Sequence, residues 1–260
     1  MSFDQLLLLK TLGKETIIKD VKWYDEISSS QDLVKSEIYD SSEVYTTLIG
    51  AEVMTSAKGQ YTRKFITSKG NGLYFSFAVP HGNIPNIKQH IKLLMAVVIA
   101  NTIKKLTNLD VKIKFPNDIY FLNKKLCGVL VEEYNTQYMK YLIIGVGLNV
   151  NEPGFPSEIK DKATSIFMET GIKFPRELLT AEIIKYFTES ISNYQKLGMK
   201  FLKAEFSNHS ANHFIGKLQN GELIECDFVD LTENGYLVVY SKERKQHYTF
   251  YFSDLIEINI

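Results

Sequence analysis

Residues 18–27, Ile18 to Ile27, read as a strand that ends in the polar run Ser28-Ser29-Ser30-Gln31-Asp32. Serine and aspartate oxygens accept from the free N–H groups at a helix start, so this run is expected to cap an amphipathic helix beginning near Asp32. A second apolar strand covers residues 44–54 and gives way to a polar loop, Thr55 to Gly72, with Lys58, Arg63, Lys64, Lys69 and three glycines. Leu73 to Val79 is a strand closed by Pro80. From Ile87 to Leu106 apolar residues recur at helical spacing, with Ile91, Leu94, Met95, Val98, Ile99 and Ile103 on the pattern. Pro116 forbids helix and holds Phe115 extended, so Lys114 to Phe121 and Lys124 to Glu132 read as two short strands with Asn123 and Lys124 at the tip. Tyr141 to Asn149 is a buried strand interrupted by glycines.

Helices are expected over Ala163–Thr170, Arg176–Lys196 and Met199–His209. The tail from Phe214 to Ile260 changes to short strands and turns, including Gln219-Asn220-Gly221 and Glu233-Asn234-Gly235. Asn-Gly favours hairpin tips because both residues tolerate positive φ, so the tail reads as a small all-β barrel. The division follows: 1–210 as a large domain and 211–260 as a small one.

With 30 basic and 30 acidic residues and the lysines spread evenly, there is no electrostatic footprint for nucleic acid or for an anionic membrane. No stretch approaches the ~20 apolar residues a bilayer span needs, and the Leu6–Leu9 run follows Asp4 without a cleavage signal. Cys127 and Cys226 lie far apart in apolar strand patterns, which favours buried free thiols in a reducing cytoplasm. The five histidines form no metal-binding spacing, and His209 and His213 read as surface residues.

Chemistry concentrates in the central hairpin. It would bring Lys114, Asn117, Asp118 and Lys125 together, a set suited to an anionic, metal-bound ligand, although each lysine alone is equally an ordinary solvated charge. The loop 55–72 is a second candidate, since glycines, lysines and an arginine between strands can wrap an anion. The Ser28–Gln31 turn and the Gly145-Val146-Gly147 pair have simple alternatives in helix capping and sheet packing.

In order and spacing these segments resemble one family. Lys114-Phe115-Pro116-Asn117-Asp118 followed by Lys125, Gly128, Leu130 and Glu132 is similar to the K-W-P-N-D…K-x-x-G-[IV]-L-x-E signature of biotin protein ligases, with Phe115 where tryptophan is usual. Ser29, Ser30 and Gln31 stand at the family's S-T-N turn, whose hydroxyls bind the biotin ureido group. Ile144 to Asn151 resembles I-G-x-G-x-N-V-N, in which Asn149 faces the adenylate, and Ala163-Thr164-Ser165 resembles A-T-S-L. The loop departs from G-R-G-R-x-x-R: Ala57, Lys58, Gly59 and Gln60 take its first four positions and Arg63 its last. Met54 stands where a glutamine meets the biotin ring. A lysine keeps the charge of an arginine but not the planar fork that grips phosphate, and Met54 suits a greasier ligand.

The resemblance implies an α+β fold, a mixed sheet flanked by helices of the class II synthetase-like biotin/lipoate ligase type, followed by an SH3-like barrel. It also implies the activity: ATP-dependent formation of biotinyl-5'-AMP and transfer to a lysine of a biotin carboxyl carrier domain. ATP and Mg²⁺ would be needed, and the chain would act as a cytoplasmic monomer or homodimer with no nucleic-acid partner. With a start about 25 residues before the serine turn, the resemblance would be to a form without the winged-helix domain. By the same resemblance Lys125 meets carboxylate and α-phosphate, Arg63 and Lys58 meet phosphate, and Asn117 and Asp118 position Mg²⁺ and the incoming amine. Ligation of lipoate or octanoate, or non-catalytic carrier binding, are the alternatives.

Overall fold

The structure, a computed structural model, describes residues 2–57, 67–211, 213–218 and 220–250, and the backbone of 255–257. A seven-stranded sheet is ordered β1-β2-β3-β7-β6-β5-β4. Its strands are β1 (Asp20–Ile27), β2 (Thr47–Met54), β3 (Leu73–Pro80), β4 (Lys112–Lys114), β5 (Asp118–Phe121), β6 (Lys124–Asn135) and β7 (Lys140–Leu148). Only β1 and β2 run parallel and the other neighbours are antiparallel, so the sheet is mixed.

Helix α3 (Ile87–Thr107) explains why its hydropathic pattern is so broad. Besides the six positions on the helical repeat, Ala96, Val97 and Ala100 are buried, as befits a helix covered on several sides. It packs between the sheet and α5 (Arg176–Leu197). Helix α1 (Gln5–Leu12), unassigned from the leucine run alone, lies on α5 and is capped by the Asp4 carboxylate. The opposite face of the sheet takes α2 (Ser30–Ile38), whose Val34 and Ile38 pack on Ile49, Ala78, Tyr141 and Ile143.

After β7 come α4 (Ile166–Thr170), α5 and α6 (Met199–Ser207). A five-stranded antiparallel sheet follows, ordered β11-β10-β9-β8-β12, from β8 (His213–Lys217), β9 (Leu223–Leu231), β10 (Leu237–Ser241), β11 (Gln246–Phe250) and β12 (Leu255–Glu257). Gly221 and Gly235 hold φ of 87° and 77° at its turns, where a Cβ would be strained. Among the described residues no helix is long and apolar enough to cross a membrane. Both cysteines are free and buried. His209, expected at the surface, is instead fully buried: its Nε2 lies 2.8 Å from Asn101 Oδ1, and the α6 end covers the edge strand β4.

Candidate active site

Helix α2 is too short to cover its face of the sheet. Beyond its N-terminus the floor is made of glycine. Gly145 faces Gln31, Gly147 shares that face by the strand pleat, and Gly128 is the cross-strand partner of Gly147. All three keep some solvent exposure in mid-sheet. The floor is therefore a trough whose two ends carry different chemistry.

At one end is the β5–β6 hairpin. Register along it shifts: Ile119 pairs with Cys127, but Tyr120 pairs with Lys125, so Leu126 is an extra, bulged residue. Lys125 and Gly128, three apart, would point to opposite faces of a regular strand. The bulge puts both on the trough face, and Lys125 Nζ comes 2.7 Å from Asp118 Oδ2. Asn117, buried, donates from Nδ2 to Val129 O at 2.7 Å and to Asp118 Oδ1 at 3.2 Å. Lys114 is the cross-strand partner of Asp118, but its ammonium lies over the Tyr120 ring, 5.3 Å from the centroid. The expected quartet is thus brought to one corner, with Lys125 as the cation on the carboxylate. A Cβ at Gly128 would lie 3.0 Å from Lys125 Nζ, so the glycine leaves the ammonium its present place.

At the other end, Ser29 caps α2, its Oγ accepting from Asp32 N at 3.3 Å. The Oγ atoms of Ser30 and Ser76 lie 2.7 Å apart, and Ser30 Oγ is 3.7 Å from Met54 Sδ. A thioether is a weak acceptor, which leaves a Ser30–Ser76 hydroxyl available to a better one. Gln31 lies across Gly145, its Nε2 3.3 Å from Leu130 O and 3.4 Å from Ile143 O. In the sequence Ser76 stands at the serine of the L-Y-x-S stretch that the resemblance places before the long helix, with no role given to it there.

The trough wall is held by residues after β7. Lys125 N donates to Lys162 O and Thr164 N to Lys125 O, so 162–164 continues the sheet where β7 has ended. Asn149 donates to Thr164 O at 2.9 Å, fixing that wall to the strand. Of the predicted loop residues, Ala57 is half-buried, while Lys58, Gly59, Gln60 and Arg63 lie outside the described residues.

Two acidic residues near the loop's described ends escaped the sequence. Glu52 makes a buried two-pronged ion pair with Arg176, each N–O distance 2.9 Å, and accepts from Gly70 N, Phe3 N and Trp23 Nε1. Arg176 also donates to Gly72 O at 3.1 Å. Burial pushes the Glu52 carboxyl up, but Arg176 and the two backbone N–H groups outweigh it and hold it below the usual range. Glu152 accepts from the Tyr74 hydroxyl at 3.0 Å, and burial pushes its carboxyl above the usual range. Nothing in the local pattern marked these positions, since the ion-pair partner Arg176 lies 124 residues from Glu52 and the hydroxyl partner Tyr74 lies 78 from Glu152.

Comparison with known proteins supplies the family. The profile of the biotin/lipoate A/B protein ligase family matches residues 23–149, the span from β1 to the end of the trough. Over that span, just under half of the chain, the sequence is similar to that family. A curated relative, the bifunctional ligase/repressor BirA of Bacillus spizizenii, is 29% identical over 191 residues, covering 72% of this chain and 58% of the relative. This chain thus matches well under two thirds of that relative's length. Biotin–protein ligase 2 of Arabidopsis thaliana is 24% identical over 250 residues, 91% of this chain and 74% of the relative. Among solved structures, the biotin protein ligase from Aquifex aeolicus in complex with biotin and ATP superposes with a TM-score of 0.76 at 26% identity, covering 92% of this chain and 98% of that one. The α+β fold with a mixed, helix-flanked sheet is that of these biotin/lipoate ligase structures.

Proposed function

We propose that the protein is an ATP-dependent biotin ligase that forms biotinyl-5'-AMP and passes the biotinyl group to a lysine of a biotin carboxyl carrier domain. One observation carries this reading: a single glycine-floored trough joins the Ser30–Ser76 hydroxyl pair to the Lys125–Asp118 pair. The ends lie on β3 and β5, three interstrand spacings or about 14 Å apart. That suits a carboxylic acid with a hydrogen-bonding head, an apolar arm and a reactive carboxylate.

The carboxylate oxygen attacks the α-phosphorus of ATP, the bond to the bridging oxygen breaks, and diphosphate leaves. Lys125 neutralises carboxylate and phosphate as they approach, so alignment and charge neutralisation are the protein's main contributions. In the second step an amine nitrogen attacks the acyl carbon and AMP leaves. Asp118 orients that amine and takes up its proton. Among the described residues no group of three or more His, Cys, Asp or Glu side chains is placed to hold a metal. The donor set of Asp118 and Asn117 instead fits an Mg²⁺ carried in on the phosphates, which spreads their charge when bound. Lys125 moving from Asp118 to the ligand releases the carboxylate for that role.

The test is to incubate the full chain with biotin, ATP and Mg²⁺ and to look for biotinyl-AMP by mass spectrometry, then to add a carrier domain. Diphosphate release that depends on biotin supports the reading, and none in any condition sinks it. Met54 beside Ser30 favours one second reading, a ligase for lipoate or octanoate, which lipoate-dependent turnover without a biotin response would establish.

A further inference from the structure

We propose that Phe206 is a positioning residue for the acyl-activation site, acting through Phe115 on Asn117 and Asp118. This rests on the ligase reading above. Phe206, at the C-terminal end of α6, is fully buried between two other rings. It meets Phe115 edge-on, centroids 6.1 Å apart at 71°, and Phe228 of β9 edge-on at 5.4 Å and 82°. These are the favoured arrangements of aromatic pairs, and they link the C-terminal sheet to the segment that enters the site.

The same turn of chain grips the segment by its backbone. Ile113 of β4 donates to His209 O at 2.8 Å, and the Phe206 carbonyl accepts from His209 N and Ser210 N. Residues 112–115 are therefore held from one side by the end of α6. From the other side Asn117 and Asp118 are tied to β6, through Val129 N to Asn117 O at 3.0 Å, Asn117 Nδ2 to Val129 O at 2.7 Å, and the Lys125 ammonium. Asn117 and Asp118 sit between these two supports, only two and three residues beyond the Phe115 ring. A shift of the ring moves the carboxylate relative to Lys125, and a displacement of about 1 Å at a reacting group can cost about 100-fold in rate.

Simple core packing makes a different prediction. A ring that only fills space weakens the fold as a whole and leaves its rate effect independent of Asp118. A ring that aims Asp118 has nothing to aim once that carboxylate is gone.

The experiment uses the full chain with biotin, ATP and Mg²⁺, and hydroxylamine as the acceptor amine. Diphosphate release gives kcat, calorimetry gives the biotin Kd, and thermal unfolding confirms that each variant is folded at the assay temperature. Phe206→Leu is expected to lower kcat about tenfold or more with biotin Kd within about twofold, because the biotin head sits at the remote Ser30 end. In an Asp118→Asn background the same change is expected to cost less than about threefold, the non-additivity of two groups acting as one. Phe228→Leu, on the partly exposed outer ring, gives the same pattern with a smaller loss and serves if Phe206→Leu does not fold. A folded Phe206→Leu enzyme with unchanged kcat overturns the inference alone. So does an equal fold-loss with and without the Asp118 carboxylate, or a parallel loss of biotin affinity. A wild-type chain that releases no diphosphate overturns the ligase reading, and this inference with it.

Discussion

Lys125 Nζ and Asp118 Oδ2 lie 2.7 Å apart at the end of a trough floored by glycine. The pair is a quarter to a third exposed, so it contributes little to folding; such pairs are worth about 0–1 kcal/mol. On the proposed reading the pair keeps an ammonium where anions gather. Lys125→Ala is expected to lower biotinyl-AMP formation by about 100-fold or more while moving Tm by only a few degrees. Comparing single-turnover rates with a thermal melt checks this, and full-rate adenylation by the variant would refute the role.

Glycines in the trough have distinct reasons, and substitution separates them. A Cβ at Gly128 meets Lys125 Nζ at 3.0 Å and Asp118 Oδ1 at 3.3 Å, whereas one at Gly145 meets Gln31 at 3.1 Å. Gly145→Ala is expected to impair function through Gln31, so adding Gln31→Ala restores part of the loss. Gly128→Ala is not rescued by that second change. The four kcat/KM values of each cycle decide it.

Glu52 and Glu152 should respond to pH in opposite senses. The folded pKa of Glu52 is lowered, so its stabilisation is present above its unfolded value, about 4.3, and is lost as pH falls through the folded one. The folded pKa of Glu152 is raised, so its contribution is complete below its unfolded value and is lost as pH rises through the folded one. Glu152→Gln should therefore gain stability relative to the parent chain between pH 5 and pH 8, read by urea unfolding at each pH. A constant or growing deficit with pH would be the contrary result.

Arg176→Ala leaves the Glu52 carboxylate buried without its ion-pair partner. A loss of about 3–5 kcal/mol is expected, measurable as a fall in urea midpoint at unchanged slope. The Glu52→Gln plus Arg176→Met double variant should recover most of it, because both charges are then gone.

Met54→Gln places an amide near the Ser30 hydroxyl. One added hydrogen bond of about 0.5–1.5 kcal/mol predicts a roughly two- to tenfold gain in biotin affinity over lipoate. Calorimetry with both acids reads the ratio directly.

Local signals carried the sequence reading a long way. The Asn123 turn and the helical spacing of 87–106 determine backbone shape through near neighbours, and those elements stand where the signals put them. The Ser29 cap and the Lys125–Asp118 corner were legible for the same reason. Lys114 to Phe121, read as one strand, is instead β4 and β5 with a turn over 115–117. There Asn117 N donates back to Lys114 O at 3.3 Å, and Pro116 has no N–H to give to a ladder. Arg176 was not, because the first residue of a helix gives no hint that its guanidinium crosses to Glu52. His209 misled because its spacing from His213 says nothing of the strand edge that covers it.

The bulge at Leu126 sets a rule for any attempt to graft this hairpin into another scaffold. A transplant that copies Asp118, Lys125 and Gly128 but pairs the strands evenly turns one of the three inward. An ammonium or a carboxylate would then sit among Ile119 and Cys127, in the oil rather than at the mouth of the trough. The irregular pairing has to travel with the side chains, or the motif keeps its spelling and loses its address.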